Sequence, residues 1–87
     1  MSARRRVQTR VLSGTTDQNI RFEEIYGLLR ALGFQERICG SHHIFTREDV
    51  VEILNLQPRD GGMAKPYQVR QVRDAIVRYK FAGEVDA

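Results

Sequence analysis

Tryptophan is absent from this chain, and cysteine, histidine and proline are scarce: one, two and two in 87 residues. Cys39 stands alone, so no internal disulfide forms, and the few Cys and His residues supply no ligand set at zinc spacing. No metal is therefore expected. Long hydrophobic runs are also missing, and none approaches the roughly 20 apolar residues that cross a bilayer, which argues against a membrane partner. The start Met-Ser-Ala-Arg-Arg-Arg brings charge without the apolar stretch of a secretory signal, so a cytoplasmic protein is expected. Gly61-Gly62 lacks the glycine spacing of a phosphate loop, and no small-molecule cofactor is expected.

What is present is a mix of 41% hydrophobic and 29% charged residues, enough for one modest core in a single domain. The net charge of +3 is unevenly placed. Residues 1–12 contain Arg4, Arg5, Arg6 and Arg10 and no acid, leaving 10 basic residues against all 11 acids in the remainder. Residues 1–18 show no apolar periodicity and are expected to be a flexible basic tail ahead of a domain spanning 19–83. Within that domain Lys65, Arg70, Arg73, Arg78 and Lys80 cluster against Asp74 alone. From charge counts alone the first reading of the cluster is a solvated helix surface, and a local phosphate-binding patch is the alternative.

From Ile20, the residues Phe22, Ile25, Leu28, Leu29 and Leu32 recur at three- and four-residue steps and predict a helix over 20–32. Asn19 is the expected N-cap and Gly33 the stop. Short extended runs follow at 34–39, 41–47 and 50–57. Their gaps are too brief for parallel crossovers, so a three-stranded antiparallel meander is expected. Pro58-Arg59-Asp60-Gly61-Gly62 breaks the pattern, and Val69, Val72, Ile76 and Tyr79 then predict a second helix over 67–80. The result is an α+β fold, helix, three-stranded antiparallel sheet, helix. Its element order is that of double-stranded-RNA-binding domains, with one sheet face free.

His42 and His43, the two histidines, follow directly on Gly40-Ser41. Histidine titrates near neutrality and is suited to moving a proton in phosphodiester cleavage. Strand alternation sends neighbouring side chains to opposite faces, so Ser41, His43 and Phe45 share one face and His42, Ile44 and Thr46 the other. The bulk of Phe45 points its face to the helices and leaves His42 on the open side. By itself a His-His pair is more often a plain strand feature than a catalytic one, so these residues alone do not assign an enzyme.

The segments Leu32-Gly33-Phe34, Arg37-Ile38-Cys39-Gly40-Ser41-His42-His43-Ile44-Phe45, Ile53-Leu54-Asn55-Leu56-Gln57-Pro58 and Ala64-Lys65-Pro66-Tyr67-Gln68-Val69-Arg70-Gln71-Val72-Arg73 together resemble the HicA toxins of type II toxin–antitoxin systems. The likeness covers roughly residues 11–80. It implies an mRNA interferase, an endoribonuclease acting on messenger RNA and neutralised by a HicB-like antitoxin. It also implies that the histidine after the Gly-Ser step, here His42, is catalytic, with Gly40, Ser41 and His43 as its motif neighbours. Lys65, Arg70 and Arg73 are then candidates for holding RNA phosphates. Many members carry a Pro-x-His-like segment at the end of the third strand. This chain lacks it, and no role for that second histidine is carried over. Two rivals stay open at this level: a non-catalytic RNA-binding module of the same fold, and a protein-interaction domain that pairs through its open sheet face or edge.

Overall fold

A computed structural model describes residues 3–83. Helix α2 (Phe22–Ala31) buries Phe22, Ile25, Leu28 and Leu29, the stripe that the three- and four-residue spacing defines. It stops in a Schellman turn: the Gly33 N–H donates to the Arg30 carbonyl and the Phe34 N–H to the Leu29 carbonyl, both at 3.0 Å. Gly33 makes this possible at φ +87°. The N-cap is Arg21 rather than Asn19, and its N–H donates to the Glu24 carboxylate at 2.9 Å. The start is displaced because Ile20 is fully buried and its carbonyl accepts from the Ala64 N–H, which holds residue 20 extended.

Strands β1 (Gln35–Cys39), β2 (His42–Thr46) and β3 (Leu54–Leu56) form the expected antiparallel meander in the order β1-β2-β3. The third strand is shorter than the apolar run 50–57. Val50 turns back onto Arg47 through a backbone hydrogen bond and is buried, so the chain loops before it pairs. Helix α3 (Pro66–Arg78) begins on Pro66, as the fixed φ of proline favours, and buries Val69, Val72, Ala75 and Ile76. Phe45, Leu54 and Leu56 fill the sheet side of the core beneath these helices. The opposite sheet face carries Arg37, Cys39, His42, Thr46 and Asn55, all exposed.

The expected tail is corrected. Met1 and Ser2 lie outside the described residues, but Ala3–Ser13 form helix α1, which packs on α2 and α3 and buries Val7, Gln8 and Val11. Three long side chains fasten it. Gln8 Nε2 donates to the Ala82 carbonyl at 2.9 Å, Arg10 pairs with Glu24 at 2.8 Å, and Arg73 donates to the Val11 carbonyl at 3.1 Å. The apolar signal was only Val7, Val11 and Leu12 among four arginines, too sparse to read as an amphipathic stripe.

Candidate active site

β2 starts at His42 because Gly40 and Ser41 form a two-residue turn between the ladder partners Cys39 and His42. Gly40 adopts φ +62°, the first central position of a hairpin turn where a β-carbon would be strained. The turn fixes the pleat, and with it the faces: His42 is exposed on the open side, while Phe45 is fully buried on the other.

His42 Nδ1 lies 3.0 Å from Oδ1 of Asn55. An amide oxygen only accepts, so Nδ1 carries the proton, and in the neutral ring Nε2 keeps its lone pair. That lone pair has no protein partner among the described residues. Asn55 reaches the ring because it is the middle residue of β3: Leu54 and Leu56 are buried, which sends Asn55 to the open face diagonally across from His42. A histidine held in one tautomer with a solvent-facing basic nitrogen has the form of a general base.

A second set of contacts borders this pair. Lys65 Nζ donates to Gln57 Oε1 at 3.3 Å, and Gln57 Nε2 donates to Ser41 Oγ at 2.8 Å, which ties the ammonium to the residue before His42. Gln68 is 6% exposed, and its amide clasps the outer edge of β3. It accepts from the Gln57 N–H at 3.2 Å, donates to the Asn55 carbonyl at 3.4 Å, and lies 3.4 Å from the Tyr67 hydroxyl. The side-chain amide thus does for this edge what the peptide group of a further strand would do. Arg37 is exposed on the open face two positions from Cys39, and Arg70 is exposed on α3.

The remaining candidates separate from this cluster. His43 Nδ1 lies 2.6 Å from the Glu36 carboxylate, and its ring leans on Phe22 with centroids 4.8 Å apart, on the helix-covered side. Arg73 is corrected from phosphate ligand to brace: its guanidinium is largely buried, pairs with Asp17 at 3.0 Å and bonds the last turn of α1. Its charge is already neutralised within the fold. Asn55, Gln57 and Gln68 were not singled out from sequence. The alternation Leu54-Asn55-Leu56 gave the face of Asn55, but only the register brings it to His42. Among the described residues, the one group held clearly off its ordinary ionisation is Glu52, whose carboxyl is lowered below the usual 4.5 first by the hydrogen bond from Tyr79, with Arg78 adding to it.

Fold and site together define a helix–sheet–helix domain that leaves one sheet face open and sets a tautomer-fixed histidine on it, beside unburied cations. A family model described as the HicA toxin of bacterial toxin–antitoxin matches residues 22–78, from the first residue of α2 to the last of α3. The chain belongs to the HicA toxin family. It is a toxin of a toxin–antitoxin system, and an antitoxin is its partner. No curated protein and no solved structure matches the chain. Helix α1 lies outside the matched segment. No helix among the described residues is long and apolar enough to cross a membrane.

Proposed function

We propose that this toxin is an endoribonuclease that cleaves messenger RNA in the cytoplasm, using His42 as its proton-transfer group, and that a HicB-like antitoxin neutralises it. The observation that carries the reading is the His42–Asn55 hydrogen bond, which leaves Nε2 basic and open to solvent on a surface accessible to a polymer. In the proposed reaction Nε2 takes the proton of a ribose 2′-hydroxyl. The 2′-oxygen bonds to the adjacent phosphorus, the bond to the 5′-oxygen breaks, and that oxygen is protonated by solvent. The upstream fragment ends in a 2′,3′-cyclic phosphate and the downstream fragment in a 5′-hydroxyl. Lys65 and Arg70, with Arg37 across the sheet, offset the charge on the phosphate oxygens. Arg73, engaged with Asp17, takes no part in this scheme.

The test compares wild type with His42→Ala on a labelled transcript, with folding checked by circular dichroism. The substitution is expected to lower the cleavage rate by about 10²–10⁴-fold while the chain stays folded. Wild-type cleavage should persist in excess chelator. Full activity in folded His42→Ala would remove the catalytic assignment, and activity lost to chelator and restored by a divalent ion would replace it with a metal-dependent one.

A further inference from the structure

Tyr67 is an aromatic side chain that the fold leaves uncovered, 53% exposed in the first turn of α3. An exposed tyrosine alone is ordinary. Its surroundings are not. The Tyr67 hydroxyl lies 3.4 Å from Gln68 Nε2, which donates to the Asn55 carbonyl, so the ring stands two hydrogen bonds from the residue that holds His42. Lys65 precedes it by two residues as the helix N-cap, and Arg70 follows at the i+3 position, exposed on the same helix surface. Lys65 also connects through Gln57 to Ser41, the neighbour of His42. An aromatic ring flanked in sequence by two cations and linked through Gln68 and Asn55 to a surface histidine is an arrangement suited to single-stranded nucleic acid: the cations follow the backbone and the ring stacks a base.

We infer that Tyr67 is the base-stacking platform of this site, receiving an unpaired base of single-stranded RNA next to the phosphate presented to His42. The inference rests on the proposed RNA-cleaving function and adds the residue that seats the substrate. Stacking needs a base free of its helix, so the platform selects single-stranded over duplex RNA. It acts on binding and leaves the proton transfer to His42. Because a ring face accepts any base, Tyr67 supplies affinity with little sequence preference.

The chain has no tryptophan, so Tyr67→Trp places a single indole reporter at the platform. In the His42→Ala background, which leaves RNA intact, a single-stranded oligoribonucleotide should quench that indole saturably, and a duplex of the same sequence should not. Unchanged emission while a labelled oligonucleotide binds by anisotropy would overturn the inference and leave the cleavage reading standing. In otherwise wild-type chain, Tyr67→Leu should raise KM about 10-fold with kcat changed less than about 2-fold, and Tyr67→Phe should behave as wild type. A KM equal to wild type in Tyr67→Leu would assign the tyrosine to protein contact only. Equal loss in Tyr67→Phe would show that its hydroxyl, through Gln68, is what matters, and would also overturn stacking. If wild type neither binds nor cleaves RNA, both the platform and the proposed function fall.

Discussion

Replacing Asn55 tests whether the His42 tautomer is set by its neighbour. The bond to His42 is a 3.0 Å contact on an exposed face, where a neutral hydrogen bond contributes about 0.5–1.5 kcal/mol, so Asn55→Ala should cut kcat by about 2–13-fold. That is well short of the expected loss from removing the histidine, because the ring can still reach its productive orientation part of the time. Asn55→Asp makes a sharper perturbation. A carboxylate against Nδ1 favours the imidazolium, so less of the base form is present at a given pH. The limb of the pH–rate profile governed by the base should then move to higher pH, while activity at high pH is retained. The assay is initial cleavage rate against pH for wild type and both variants. A double-mutant cycle supplies the refutation. If Asn55 acts through His42, adding Asn55→Ala to His42→Ala should cost nothing further. The same penalty in both backgrounds would mean that Asn55 works on RNA directly or on the fold, and the geometric argument would be wrong.

Val11 is fully buried under α2 and α3, so Val11→Ala removes two core methyl groups and leaves a cavity, at a cost of about 2 kcal/mol. For a domain of this size the melting temperature should fall by about 10 °C, whereas Arg4→Ala, on the exposed side of α1, should leave it unchanged; equal melting of Val11→Ala and wild type would show that α1 is not part of the folded unit. Tyr79→Phe removes the main cause of the lowered Glu52 pKa. A depressed carboxyl stabilises the fold above its unfolded value and loses that contribution as pH falls through the folded one, so the stability gap between wild type and Tyr79→Phe should be present at neutral pH and close below about 4.5. A gap independent of pH in a denaturant series would assign Tyr79 to packing alone.

Helical periodicity made α2 and α3 legible because each hides an unbroken apolar stripe from solvent, and Gly33 and Pro66 punctuate them with backbone angles few other residues take as readily. The meander was legible from gap length, and the two faces of β2 from the size of Phe45. Helix α1 was not, since most of what fastens it is polar and distant: Gln8 to Ala82, Arg10 to Glu24, Arg73 to the Val11 carbonyl. Long side chains choose such partners only after the chain is folded. The same reason hid the polar frame of the site. Asn55 and Gln68 look like a surface amide on a strand and a helix glutamine until the register lays β3 beside β2 and α3 beside β3.

Neighbouring residues of one type therefore carry different duties here, and the difference is made by what their polar atoms meet. His42 and His43 are consecutive, yet one presents Nε2 to solvent through a neutral amide partner, whereas the other gives Nδ1 to a carboxylate and lays its ring on Phe22. Arg70 and Arg73 sit one helical turn apart, yet the second has its charge matched by Asp17 inside the fold and the first faces water. A paired, half-buried group is held in place by its partner and cannot follow a substrate without breaking that contact. An exposed group with a free donor or lone pair can. By that criterion the architecture lies on the helix-covered side of the sheet, and the open side, with His42 and Arg37 exposed on it, is the side that the proposed RNA cleavage uses.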